Sequence, residues 1–227
     1  MRKTTLILIV ISILAVLFIS ACTKTTIDPN DECAALEDGA KDNCYDEANK
    51  CSKIENDGFR DSCVAKLAAI KGDLKVCDLI ENTRTRGYCQ EEIAVKNLDS
   101  QACRSIEDTY WKDNCNHNIA LNTSDDDLCS YVGDDDQRRG CYYDVAIATN
   151  NVDLCSWVVD SKKNRCVTSI AIETESILAC NMLSNGINVD ACKSKVAREM
   201  EQVELCAEVG FDFIREKCLE HFNGESE

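Results

Sequence analysis

The chain is poor in residues that interrupt helices: its 227 residues include one proline, Pro29, and nine glycines. Proline removes a backbone donor and clashes with the preceding turn, and glycine costs chain entropy, so their scarcity favours helix. Histidine is nearly missing. His117 and His221 occupy unrelated positions, so no Ser/His/Asp or Cys/His arrangement can be built and no catalytic residue is assigned. No two cysteines form a C-x-x-C pair, which removes the common zinc and c-type haem spacings. No metal and no cofactor are therefore expected. Cations are short as well: 25 Lys and Arg face 41 Asp and Glu, a formal charge of −16. Nucleic-acid binding needs clustered cations and is not expected. The carboxylates are too many to single out an acid/base pair.

What the chain has is cysteine, seventeen in all, and sixteen of them follow a pattern. One series runs Cys51, Cys77, Cys103, Cys129, Cys155 at a spacing of 26 and continues, one residue short, at Cys180 and Cys206. Its partner series is Cys63, Cys89, Cys115, Cys141, Cys166, Cys192 and Cys218, and a shortened copy, Cys33 with Cys44, comes first. Such a period marks an array of small units. Three residues after the first cysteine stands an aliphatic in every copy, from Leu36 and Ile54 to Leu183 and Val209. Four after the second stand Leu67, Ile93, Ile119, Val145, Ile170 and Val196, each followed by alanine. These spacings place cysteine and aliphatic on one helical face. Asp73, Asp99, Asp125, Asn151 and Ser176, four residues before the first cysteine, are N-cap types.

Each unit therefore reads as a helical hairpin. In Asp125–Asn150 the short first helix is expected at about Asp126–Gly133 and the longer second one at about Gln137–Thr149. Residues equally far from the turn of an antiparallel hairpin face each other. The midpoint of Cys129 and Cys141 is Asp135, inside the turn, whereas the midpoint of Cys141 and Cys155 is Ala148, within the second helix. The expected disulfides are thus Cys33–Cys44, Cys51–Cys63, Cys77–Cys89, Cys103–Cys115, Cys129–Cys141, Cys155–Cys166, Cys180–Cys192 and Cys206–Cys218. This pairing uses all sixteen cysteines after Cys22, and shifting it by one strands Cys33 and Cys218. The expected fold is all-α, a solenoid of about eight disulfide-stapled hairpins with a 26-residue repeat. A hairpin this small needs such a staple. The layout of 33–223 resembles helical-hairpin solenoids of the Sel1-like and tetratricopeptide kind. That likeness is architectural only, because the period is 26 and their Trp, Gly, Tyr and Pro signature is missing.

Residues 1–21 have the order of an export signal: Arg2 and Lys3, then the apolar run Leu6–Phe18, too short to span a bilayer. The run leads into Ile19-Ser20-Ala21-Cys22, which resembles the lipobox of prokaryotic lipoproteins. The resemblance implies a diacylglyceryl group on the thiol of Cys22 and cleavage before it. It also accounts for the odd cysteine. Residues 22–32 then form the lipidated cysteine and a flexible tether, 33–223 the repeat domain and 224–227 a polar tail. The expected location is a cell membrane, lipid-anchored and facing the periplasm or the cell exterior, where disulfides persist.

Lys41, Arg60, Arg86, Lys112, Arg138, Lys163 and Arg215 recur three residues before the second cysteine and are expected to pair with acids such as Asp61, Asp113 or Glu216. Two residues after the first cysteine, Tyr131, Trp157 and Met182 form an aromatic and apolar row off the cysteine–aliphatic stripe, the candidate ligand-binding residues. The triplets Asp125–Asp127 and Asp134–Asp136 lack the order of an EF-hand and read as a solvated acidic patch. The leading functional expectation is a scaffold that binds a protein, peptide or glycan through one face. Alternatives are an exported hydrolase using paired carboxylates in the groove and a cysteine-rich metal or redox store. Mass spectrometry of the exported protein before and after reduction should show one hydrogen gained by each of the sixteen cysteines from Cys33 to Cys218. Sixteen free thiols before reduction would refute the staples.

Overall fold

The repeat unit is defined by how its long helix starts and stops. The structure is a computed structural model in which residues 31–224 are described; the signal segment 1–21, Cys22, nearly all of the tether and residues 225–227 of the polar tail lie outside them. Eight long helices recur: α1 (Asp38–Glu47), α2 (Asp57–Lys71), α3 (Thr83–Asn97), α4 (Thr109–Thr123), α5 (Asp135–Thr149), α6 (Asp160–Glu173), α7 (Gly186–Glu199) and α8 (Asp212–Asn223). A short helical segment precedes each one, and there is no strand among the described residues. The fold is thus all-α, a repeat of disulfide-stapled hairpins. The described residues fall into two compact units that divide between Arg60 and Asp61.

The short segments differ from the α-helix expected for them. Leu74–Cys77 and Ser100–Ser105 are α-helical, but Glu32–Ala35, Cys51–Lys53, Asp126–Tyr131, Val152–Trp157, Ile177–Met182 and Val203–Glu208 are 3-10 helices. Asp125 and Asn151 accept an amide two residues on, from Asp127 and Asp153, as Asp73 does from Lys75 at the head of the α-helical Leu74–Cys77. At the other end Val132 N–H donates to Cys129 C=O and Val158 N–H to Cys155 C=O, both three residues back. Val132 and Val158 are themselves extended, a conformation that suits a β-branched residue. Asp73 and Asp99 cap as expected; Ser176 makes no such bond.

The long helices stop in a left-handed residue: Gly72, Leu98, Ser124, Asn150, Glu175 and Glu201 all have φ between 50° and 63°. The next N–H folds back to the alanine carbonyl of its own helix, as in Asp99 to Ala94 at 2.9 Å and Asp125 to Ala120 at 3.0 Å. This is the Schellman pattern. It explains the alanine column: Ala68, Ala94, Ala120, Ala146, Ala171 and Ala197 are fully buried where the chain doubles back.

Seven cysteine pairs join with the expected connectivity at Cα–Cα separations of 5.5 to 5.8 Å, and Cys51 and Cys63 are each disulfide-bonded too. In the second unit one continuous core runs from Ala94 to Val196, joining cysteines, the aliphatic columns and alanines of successive repeats.

Successive repeats are also joined by a buried carboxylate that the cysteine pattern does not reveal. Two residues before the second cysteine stand Asp42, Asp61, Asp113 and Asp190, all buried. Asp113 accepts Gly133 N–H at 2.7 Å and Asp134 N–H at 2.9 Å, the two amides that lead into α5. Asp61 accepts the amides of Glu81 and Asn82, and Asp190 that of Phe211. Within the first unit, Asp42 takes Glu55 and Asn56 in the same way. These aspartates are therefore not the partners of the basic column. Arg86, Arg138 and Arg215 donate to the carbonyls of Ile80, Val132 and Val209, each at 3.0 Å. Those carbonyls lie in the bend between the two segments of a hairpin, outside any helical ladder, which is why a long donor is useful there. The second guanidinium nitrogen pairs with Glu107, Asp135 and Asp212 respectively.

Asp113→Ala leaves both amides of this turn without their acceptor. Urea denaturation should show a loss of about 2 kcal/mol. An unchanged midpoint would mean that the carboxylate grip contributes nothing to the junction between repeats.

Candidate functional site

In a 3-10 helix successive side chains turn by about 120°, so residues i and i+3 share a face and i+2 points away. With Cys129, Cys155 and Cys180 buried, the residue two further on is directed to solvent. Tyr131 is 47 % exposed, Trp157 62 % and Met182 36 %, each closing its own 3-10 segment. The three expected ligand-binding residues therefore lie on the surface.

They are not brought into ring contact with one another. Trp157 stacks instead on Tyr142 of α5, with centroids 5.7 Å apart and an interplanar angle of 27°. Tyr142 is half-buried, and burial, with the Asp126 carboxylate nearby, holds its phenol above the usual value while Arg138 opposes the shift. The phenol thus stays a donor through the physiological range. The Tyr131 ring carries the Arg104 guanidinium over its face at 4.6 Å. Trp157 also borders a cavity of about 320 Å3 lined by Arg139, Ser156, Val158, Val159 and Asp160.

A second aromatic group surrounds Gly87, which stands where other repeats have the gripping aspartate. A Cβ there would meet Asp108 Cβ and Trp111 Cδ1 at 3.0 Å. The missing side chain admits Trp111, against which Tyr88 and Tyr110 pack edge-on at 5.1 and 4.9 Å. Both tyrosines are exposed, and Arg84 lies over Tyr110 at 5.5 Å.

Adjacent long helices are tied by a polar ladder. Asn118 Nδ2 donates to Glu91 Oε1 at 2.8 Å, and His117 Nε2 lies 2.9 Å from Asp144 Oδ2. Burial pushes the Glu91 carboxyl above the ordinary glutamate value; the Asn118 bond opposes the shift and neighbouring Glu92 adds to it. Three of the six carboxylates in the acidic triplets are occupied by structure: Asp125 and Asp134 cap helices and Asp135 pairs with Arg138. Among the described residues no group of three His, Cys, Asp or Glu is placed to hold a metal ion, and no helix is long and apolar enough to cross a membrane. The number of disulfides points to an oxidising, extracytoplasmic setting.

Of the groups around Trp157, Arg139 and Asp160 had a readable signal. Arg139 breaks the aspartate column, and the spacing Cys155–Cys166 is one residue short of its neighbours. The stacking of Tyr142 had none, since it depends on packing between repeats. No protein-family model, curated protein or solved structure matches the chain.

Glu91 binds its proton more tightly folded than unfolded, so the stability it contributes is full below the ordinary glutamate value and lost as pH rises through its raised one. Glu91→Gln keeps the acceptor for Asn118 without the buried charge. It should raise the urea midpoint at neutral pH and leave it unchanged in acid, below the ordinary glutamate range. A gain equal at both would place the effect elsewhere.

Proposed function

We propose that the chain is a lipid-anchored, extracytoplasmic helical-repeat scaffold that engages a protein, peptide or glycan on the face carrying Tyr131, Trp157 and Met182. The observation behind this reading is the exposure of Trp157, with one ring face on Tyr142 and the indole 62 % open to solvent. Leaving so large an apolar group in water forgoes about 2 kcal/mol of burial. Three such residues at one repeat position describe a binding surface better than a packing accident.

The anchor rests on the resemblance of Ile19-Ser20-Ala21-Cys22 to a lipobox and on arithmetic. Sixteen cysteines, Cys33 to Cys218, are oxidised in pairs, and Cys22 is the one left over. Two alternatives fit less well. A hydrolase would need two carboxylates acting together, whereas Glu91 is held by Asn118 and Asn114. A thiol-based store would need thiols that the disulfides have consumed.

A photo-cross-linking residue placed at Tyr131 or Trp157 should give adducts in the native cell envelope, and one at exposed Leu98 should give none. Equal labelling at all three would reject the face. Cys22→Ser should move the protein from the membrane to the soluble fraction; retention would reject the lipid anchor.

A further inference from the structure

The cavity beside Trp157 lies in a repeat that departs from its neighbours in two ways. First, the residue two before the second cysteine is Arg139, where Asp113 and Asp190 grip the next turn's amides. Second, the turn that faces it is one residue shorter, since Cys155 and Cys166 are 11 apart against 12 in the repeats on either side. The shortened turn makes Val159 the N-cap residue of α6, and it has no side chain with which to cap.

These changes leave polar groups unspent. Among the described residues Arg139 makes no ion pair or hydrogen bond, the Asp160 carboxylate makes none, and the Val159 N–H has no acceptor. In the preceding repeat the corresponding groups are used: Asp134 caps α5 and its N–H is held by Asp113. The residues that carry these unspent donors and acceptor line one cavity, and Trp157, whose indole is largely exposed, borders it.

We infer that the Trp157 face and the cavity lined by Arg139, Val159 and Asp160 form a pyranose-binding subsite for a neutral oligosaccharide. The inference rests on the binding face proposed above and names its ligand. A guanidinium and a carboxylate line the cavity together, so neither an anion nor a cation is favoured. An apolar ligand would strip water from both charges and return no hydrogen bond. A polyproline segment offers carbonyls to Arg139 but has no N–H for Asp160. Sugar hydroxyls both donate and accept, so one ring can satisfy Arg139, the Val159 amide and Asp160 together. The C–H face of the ring then stacks on the exposed indole, which packs against Tyr142. The volume, about 320 Å3, is at the small end of ligand sites, which run roughly 300–1,000 Å3.

The test is calorimetric titration of the disulfide-intact chain with cellohexaose, xylohexaose and N-acetylglucosamine hexasaccharide, with a proline-rich decapeptide in parallel. At least one saccharide should bind. Trp157→Ala should weaken it about tenfold and Trp157→Phe should retain most of it. Arg139→Ala and Asp160→Ala should each cost about fivefold. All three side chains are exposed, and circular dichroism checks that the variants fold. If no saccharide binds at millimolar concentration, the assignment is overturned. If the decapeptide binds through Trp157 and the sugars do not, the glycan is overturned while the face stands. If a sugar binds equally to Trp157→Ala, both fall.

Discussion

The structure depends on a covalent bond buried at the centre of each hairpin. The bonded cysteines of the second unit are between 0 and 2 % exposed, so each sulfur pair is also a core contact. A two-helix hairpin cannot exclude enough water to be stable alone. Closing its loop of about twelve residues removes roughly 3 kcal/mol of unfolded-state entropy in the chain-entropy model. That allows the remaining elements to be short. Six of the first segments are 3-10 helices of three to six residues, a conformation seldom sustained without external support. The aliphatic and alanine columns then join one hairpin to the next, and the buried aspartates fix where the following long helix begins.

A repeat shows its function where it stops repeating. The aspartate grip fails at Gly87, Arg139 and Asn164, with different results. At Gly87 the lost side chain is replaced by Trp111, and the junction is closed with aromatic rings. At Arg139 a cation stands opposite a shortened turn, and the junction stays open beside an indole. Tyr88, Tyr110 and Trp111 gather at the first of these junctions, and Trp157 and Tyr142 at the second. Rigidity supplied elsewhere allows polar groups there to remain unpaired.

Much of this was legible in the residues. The period, the sulfur pairing and the all-α class follow from cysteine, aliphatic and alanine columns that recur with little variation. The outward direction of Tyr131, Trp157 and Met182 follows from their offset of two from a buried cysteine. The 3-10 character is not visible, because Asp126–Tyr131 and the α-helical Ser100–Ser105 share the same cap type and the same length. The basic column pairs with acids other than the expected Asp61, Asp113 and Glu216 for a related reason. Arg138 and Asp113 both bond backbone groups, and a backbone partner leaves no mark on the sequence. The Trp157–Tyr142 stack depends on the rotation between hairpins, which no single column encodes.

The order of the sulfur bonds has a consequence for how the protein is made. Each of the seven bridges from Cys33–Cys44 and Cys77–Cys89 to Cys206–Cys218 joins two cysteines that follow one another in the chain, and none of them encloses another. A polypeptide threaded through a membrane N-terminus first presents each pair to an oxidase before the next emerges. Native connectivity is then the order of arrival, and a thiol oxidase can complete the molecule without an isomerase to correct it.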